Sequence, residues 1–244
     1  GAGVNVAVVD SGIDASHQEF AGRTIYGRNI AGSASGASED ENGHGTHVAS
    51  TIAGGRSNSQ TGAQARDGGS SASATMRGMA YDATLYSYKV DNNGDSTIEG
   101  ISIDSSRASM YDFHVTDNIM VSNNSWGSGT VTDTTEAAER SRQPLTIAAL
   151  RAAQNNGTAF VFAAGNNRGS EVSETGGLPY HISELVNEWL VVVAVDSAKT
   201  EPLYTQRCGV AAAFCVTAVG GGDNEVTNGV NGAYTGTNNG TNSQ

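Results

Sequence analysis

The chain has few of the features that would point to several common functions. Only 13 lysines and arginines stand against 25 aspartates and glutamates, which gives a formal net charge of −12. No basic patch is present, so nucleic acid and anionic membranes are poor candidates as partners. No apolar run approaches the length of a membrane span, and no secretory signal is visible. An acidic surface with little lysine suits a soluble protein that works outside cells.

Proline is also scarce, at 3 residues, whereas glycine is abundant at 32. Many turns and long surface loops are therefore expected, although the sequence contains neither a repeat nor a collagen-like period. The 244 residues, of which 37% are hydrophobic, suffice for one globular domain with a sizeable core.

The chain contains only two cysteines, Cys208 and Cys215, and they are close enough to close a short loop. They could be metal ligands instead, but there is no further cysteine and no histidine nearby. This favours a disulfide, which implies an oxidising compartment.

The first informative stretch is GVNVAVVDSGID, Gly3 to Asp14. Its nearly continuous apolar run is typical of a parallel strand that is buried on both faces. The run ends at Asp10, so this carboxylate is expected at the carboxyl end of a central strand, where open α/β sheets bind ligands. A structural aspartate in a turn is the alternative for this stretch taken alone.

The second stretch is GHGTHVASTIAGG, Gly43 to Gly55, in which His44 opens a small-sided segment with helical spacing. The segment stops at a glycine pair, a good helix stop. His44 therefore projects from the mouth of a helix. We interpret His47 as a packing residue. A zinc site formed by His44 and His47 is the weaker interpretation, since no third ligand follows in a recognisable pattern.

The third stretch is FVFAAGN, Phe160 to Asn166, which predicts a buried strand followed by a glycine and an asparagine. Gly165 allows the backbone to approach a substrate closely. The Asn166 amide could donate to a developing oxyanion. A turn-capping asparagine is the alternative.

Together these stretches resemble the subtilisin-like serine proteases, or subtilases (peptidase family S8). The family carries its catalytic Asp in VAVVDSGID, its catalytic His as the first His of HGTHVA, and its oxyanion-hole Asn at the end of AAGN. The resemblance implies that Asp10, His44 and Asn166 have these roles. It also implies an α/β, three-layer fold with a mostly parallel central sheet flanked by helices. It covers essentially the whole chain, so residues 1–244 are expected to form a subtilase catalytic domain.

The apolar patterns predict several elements of that fold. Buried strands are predicted at Val4–Val9, Leu85–Val90, Ile119–Asn123, Thr158–Ala163 and Leu190–Val195, and a last strand at Cys215–Val219. Helices are predicted at Ile98–Met110 and Pro144–Gln154, the latter opened by its proline.

The resemblance also implies a substrate groove, in which extended backbone pairs with the peptide as an added strand. The implied substrate-binding residues are Ser125, Trp126, Gly127, Ala163, Ala164 and Gly165. Trp126 replaces the usual leucine, and a core aromatic or a groove residue are equally open interpretations of it. Another edge of the groove is expected around residues 94–100.

The nucleophile is where the sequence departs from the family. Subtilases place it in GTSxAAP, whose serine opens a long buried helix, whereas this chain ends GTNSQ with Asn242 at the serine position. We take Ser243 as the nucleophile position. The alternative is that the serine lies beyond Gln244. In either case the family's helix is missing, so the domain is expected to be incomplete at its carboxyl end.

A calcium loop is suggested by DNNGD, in which Asp91, Asn93 and Asp95 alternate. An EF-hand would need Gly in place of Ser96 and Glu in place of Ser102, so a solvated turn is the better interpretation. The resemblance allows structural calcium, but no ligand is assigned. No metal site and no cofactor are predicted.

These observations predict a secreted serine endopeptidase that hydrolyses peptide bonds of protein or peptide substrates. The alternative is an inactive subtilase-fold module for binding or surface display. The stretch RCGVAAAFC resembles the cysteine loop of subtilases carried as bacterial autotransporter passengers. This implies a Gram-negative origin and the cell surface.

Overall fold

A computed structural model describes the chain at residues 1–32, 36–55, 59–60, 74–75, 78–91, 99–196 and 198–220. Its strands and α-helices are, in chain order, β1 (Asn5–Asp10), β2 (Tyr26–Asn29), α1 (His44–Ala53), β3 (Ser59–Gln60), β4 (Ala74–Thr75), β5 (Thr84–Lys89), α2 (Asp104–Thr116), β6 (Val121–Asn124), α3 (Glu136–Arg142), α4 (Pro144–Asn155), β7 (Ala159–Ala163), β8 (Trp189–Val195) and β9 (Cys215–Val219).

The main sheet has seven strands in the order β2-β5-β1-β6-β7-β8-β9. Every neighbouring pair in it is parallel. β3 and β4 form a separate antiparallel pair. Because β1 lies between β5 and β6, hydrogen bonds satisfy its backbone on both sides. The order confirms the predicted α/β fold with a parallel sheet and a central first strand.

The alternating side chains of β1 build both faces of the core. Val6 and Val8 pack into a cluster with α1 residues on one face. Ala7 and Val9 pack into the larger cluster, which contains residues of α2 and α4, on the other face. Because both faces of β1 are covered, its sequence is apolar throughout rather than alternating. The result is three layers, with helices on each side of the sheet.

The predicted helix Ile98–Met110 is wrong at both ends, because α2 starts and stops later. Ile103 is extended, with φ −111° and ψ 154°. Asp104 then begins the helix, and its carboxylate accepts hydrogen bonds from the backbone N–H groups of Leu145 (3.0 Å) and Thr146 (2.8 Å) at the start of α4. One aspartate thus serves two helix N-termini, where a negative charge is favourable.

The predictions include neither the short strands β3 and β4 nor two longer elements, β2 and α3. β2 is an edge strand whose exposed Tyr26 stacks on Tyr86 with ring centroids 5.2 Å apart. α3 has the polar sequence EAAERSR, and Thr135 caps it by accepting from the Ala138 N–H at 3.3 Å. Neither carries the continuous or periodic apolar pattern on which the other predictions depended.

Cys208 and Cys215 form a disulfide, with their Cα atoms 5.9 Å apart. The bond encloses a short 3-10 helix, Gly209–Phe214, and fixes the start of β9. A metal site at these cysteines is thereby excluded. Among the described residues, no helix is both long enough and apolar enough to cross a membrane.

Candidate active site

Asp10 and His44 meet at the carboxyl end of the central strand. Asp10 Oδ1 lies 2.7 Å from His44 Nδ1. The contact arises because Asp10 is the last residue of β1 and His44 is the first residue of α1, which packs over the same strand. The side chains are 5% and 20% exposed, so one edge of the imidazole reaches the surface while the carboxylate is buried.

The neighbouring carboxylates make His44 a stronger base. Attraction by Asp10 raises the pKa of the His44 imidazole, and the hydrogen bond to Asp10 and the charge of Asp40 act in the same direction, while burial opposes them. With Nδ1 bonded to Asp10, the other ring nitrogen remains for a proton from a reacting group. An imidazole arranged in this way can act as a general base.

Asp40 ties the turn after Asp10 to the start of α1. Its Oδ1 accepts from Ser11 Oγ and from the Gly43 N–H, both at 2.8 Å. Its Oδ2 accepts from the Thr46 N–H at 2.9 Å and from Thr46 Oγ1 at 2.6 Å. Ser11 Oγ in turn accepts from the Gly45 N–H at 2.9 Å. These bonds satisfy N–H groups that a helix start leaves free, and they fix His44 relative to Asp10.

The turn and the helix approach so closely that a side chain at position 45 is excluded. A Cβ on Gly45 would lie 2.0 Å from the carbonyl oxygen of Gly12. The glycine that follows His44 is therefore required by packing.

The predicted oxyanion and groove residues lie at or after the ends of the next strands. Ser125, Ala163, Ala164, Gly165 and Asn166 all line a cavity of about 220 Å³. These residues end or follow β6 and β7. Because β6 lies between β7 and β1, Asp10 and Ala163 end strands that are two positions apart at the same edge of the sheet, about 10 Å from each other.

The other two predicted groove residues pack inward. The Trp126 ring lies edge-on to Phe162, with centroids 5.8 Å apart, and its Nε1 is buried without a hydrogen-bond partner among the described residues. Gly127 lies against Ser173. The geometry of Trp126 favours the core interpretation, although the residue is only partly buried.

Several predicted positions lie outside the described residues. They include Ser243 and Asn242 at the chain end, and Asn93 and Asp95 of the candidate calcium loop. In the described ranges, no group of three or more His, Cys, Asp or Glu side chains could hold a metal ion.

Sequence reasoning assigned no role to Asp40, Ser11 or Gln206, a buried glutamine between β8 and β9. Ser11 and Asp40 each lie within four residues of a predicted catalytic residue, and this proximity was the available signal. Gln206 gave none, because its contacts join segments about 40 residues apart.

Asp10 ends the central strand of a parallel sheet and bonds to His44 at the start of a helix. The chain is thus an α/β protein with a paired acid and histidine at the carboxyl edge of its sheet. Within that class the sequence profile of the Subtilase family matches residues 1–243. The chain belongs to the subtilase family.

Individual relatives show how far the likeness extends. An alkaline proteinase of the fungus Hapsidospora chrysogena is 56% identical over 54 residues, which is 22% of this chain and 13% of that protein. The patellamide maturation protease PatA has a TM-score of 0.62 at 19% identity, over 90% of this chain and 66% of PatA. A cold-adapted subtilisin-like serine proteinase has a TM-score of 0.60 at 22% identity, over 90% and 63% of the two chains. These two structures establish the shared fold, and the chain spans less than two thirds of each.

Proposed function

We propose that residues 1–244 belong to the catalytic domain of a serine endopeptidase. The observation that carries the proposal is the 2.7 Å contact between Asp10 Oδ1 and His44 Nδ1 at the carboxyl end of the central strand. Membership of the subtilase family supports it. The order Asp, His, Ser along the chain is that of subtilisin among the convergent triads.

In the proposed mechanism His44 activates a serine hydroxyl, which is a poor nucleophile at neutral pH. The serine oxygen attacks the scissile carbonyl carbon, and its proton passes to His44 Nε2. The imidazolium then donates this proton to the leaving amine as the C–N bond breaks, and an acyl-enzyme ester remains. Water attacks the ester with His44 again accepting the proton, which releases the acid and restores the serine. Asp10 keeps Nδ1 protonated and stabilises the imidazolium.

Asn166 serves as a donor to the oxyanion of the tetrahedral intermediate. It leaves β7 at the same sheet edge as Asp10, and it lines the cavity that also contains Ser125. A preorganised amide there stabilises charge that develops only in the transition state. The backbone from Ser125 to Gly127 pairs with the peptide substrate as an added strand.

Ser243 is the proposed nucleophile, because it is the serine in the GTNSQ segment that resembles the family's GTS motif. The presence of Asn242 at the motif's serine position favours a second candidate function, an inactive subtilase-fold module for binding or surface display. The two functions differ in one chemical property, since only the enzyme has an activated serine.

An extracellular site of action is proposed from the Cys208–Cys215 disulfide and the net charge of −12. The Gram-negative origin that the cysteine loop implied has no support among the relatives described. The relative described above is fungal and lends it no support.

Labelling of the full-length protein by a fluorophosphonate probe tests the proposal. We expect the wild type to be labelled, His44→Ala to lose labelling, and the exposed control Ser109→Ala to be labelled like the wild type. Loss of labelling in Ser243→Ala would assign the nucleophile. Labelling that survives Ser243→Ala would place the serine elsewhere and leave the activity intact. A wild-type protein that is not labelled would favour the inactive module.

A further inference from the structure

Gln206 is almost completely buried, at 2% exposed, and it bonds to both sides of Asn166. Its backbone N–H donates to the Gly165 carbonyl at 3.0 Å. Its side-chain Oε1 accepts from the Asn167 N–H at 3.4 Å. The peptide groups before and after Asn166 are therefore both held by one residue.

The other end of the same amide reaches two further loops. Nε2 donates to the Glu171 carbonyl at 3.0 Å and to the Gly129 carbonyl at 3.5 Å. Gly129 comes shortly after the proposed groove segment, Ser125–Gly127, which follows β6. The side chain thus links the oxyanion loop to the loop that presents the groove backbone. An amide suits this position because it offers one acceptor and two donors, which neither a carboxylate nor an apolar side chain can do.

Gly165 and Gln206 fit each other sterically. Gly165 has φ +116°, a conformation that L side chains rarely adopt. A Cβ on Gly165 would lie 2.0 Å from Gln206 Oε1. The glycine of the AAGN motif is therefore required by the position of the glutamine as well as by its own backbone.

Within the described part of the chain, the Asn166 side chain makes no hydrogen bond of its own. The position of this amide therefore depends on the backbone that carries it, and Gln206 bonds to that backbone on both sides of Asn166. An oxyanion donor must lie about 2.7–3.1 Å from the developing charge, so a small displacement weakens transition-state stabilisation more than substrate binding.

We propose that Gln206 is the positioning residue for Asn166 in the oxyanion site. The inference rests on the proposed function, since it requires that Asn166 stabilise an oxyanion. Gln206 acts through Asn166 and contacts no reacting atom.

The test is a double-mutant cycle in the full-length protein with a chromogenic peptide amide as substrate. Gln206→Met keeps the side-chain volume and removes the amide. We expect kcat to fall about 10- to 100-fold with KM nearly unchanged. In the Asn166→Ala background, the same substitution should change kcat by less than about threefold, because the group that it positions is gone.

Gln154→Met is the matched control. Gln154 also donates from Nε2 to a backbone carbonyl, that of Leu185, at 2.7 Å. It lies near the end of α4, which leads into the start of β7, at the sheet edge opposite the site. This control should leave kcat at the wild-type value. If Gln206→Met does not fold, Gln206→Asn replaces it in the cycle, since it keeps a neutral amide but its shorter side chain withdraws the acceptor from the Asn167 N–H, with the same expected non-additivity.

The outcomes separate this inference from the proposed function. An unchanged kcat in the Gln206 variant would overturn the positioning role while peptidase activity stands. So would a double variant whose loss of kcat equals the product of the losses in the two single variants. A wild-type protein that neither cleaves the peptide nor reacts with a fluorophosphonate would overturn both.

Discussion

Two histidines of this chain are held in opposite environments. His44 lies beside the carboxylates of Asp10 and Asp40, whose charges raise the pKa of its imidazole. His114 is fully buried, and burial lowers the pKa of its imidazole to about 4. Its nitrogens bond to the Met110 carbonyl at 3.0 Å and to Ser122 Oγ at 2.8 Å.

The comparison shows that surroundings, rather than residue type, decide which histidine can do chemistry. His114 lies among the rings of Tyr88, Tyr111 and Phe160, at centroid distances of 5.0 to 5.6 Å. It is neutral at pH 7 and both of its nitrogens are occupied, so it acts as a packing residue. His44 bonds to Asp10 through Nδ1, and its other nitrogen has no hydrogen-bond partner among the residues that the structure describes. The following variants test this difference.

The largest effect of these variants is expected from Asp10→Asn, which keeps the shape and removes the charge. We expect kcat to fall about 10⁴-fold, as in related triads, because the imidazole loses its tautomer control. The acidic limb of the pH–rate profile should also move to lower pH, since the main cause of the raised pKa of His44 is gone. Asp112→Asn, an exposed substitution on α2, is the control. A retained rate or an unmoved acidic limb would contradict the role of Asp10.

Asn166→Ala removes a neutral group from the same site. We expect kcat to fall about 10²- to 10³-fold, the magnitude known for the oxyanion-hole amide of subtilisin. The acidic limb should stay where it is in the wild type, because no charge near His44 changes. The pH dependence of kcat/KM therefore distinguishes this variant from Asp10→Asn. A shifted limb would mean that Asn166 affects the base itself.

Asp40→Asn should have a smaller effect on rate, about tenfold. It lowers the pKa of His44 less than Asp10→Asn does, because Asp40 is the minor contributor. It also replaces the acceptor opposite the Thr46 N–H and hydroxyl by an amide, which should reduce the free energy of unfolding by about 1–3 kcal/mol. Urea denaturation and the pH–rate profile measure the two effects. Unchanged stability would contradict the role of Asp40 at the start of α1.

His114→Asn should leave the activity of the folded protein unchanged and alter the pH dependence of stability. The folded state excludes a proton that the unfolded chain binds below pH 6.5. The wild type should therefore lose stability as the pH falls from about 6.5 to about 4, by about 3 kcal/mol in total. The variant should be less stable at pH 7 but show a smaller loss over this range. Urea denaturation at several pH values checks this, and an equal loss in both proteins would refute the assignment.

Most elements predicted from sequence carry a run of apolar residues, many of which are buried in the core. β1, β5, β7 and β8 appear close to their predicted ranges for this reason. β2 is an edge strand and α3 a polar, capped helix, so neither leaves such a run. The start of α2 depends on a contact between Asp104 and the start of α4, which no local pattern reveals.

The residues of the candidate site also divide into those that the sequence reveals and those that it does not. Asp10, His44 and Asn166 stand in short motifs whose residue types already indicate the chemistry. Asp40 and Gln206 act through hydrogen bonds to other segments, and their importance appears only once the chain is folded. Sequence reasoning therefore supplied candidates for the reacting groups, whereas the side chains proposed to hold them in place appeared only in the structure.

The most direct test of the account is the peptidase activity of the full-length His44→Ala protein relative to the wild type. We expect kcat to fall by about 10⁶-fold, a magnitude known for subtilisin, because the serine loses its base. The melting temperature should stay within a few degrees of the wild type, since one edge of the ring is already exposed. Undiminished cleavage by a folded His44→Ala protein would contradict the central claim that Asp10 and His44 form the catalytic base of a serine peptidase.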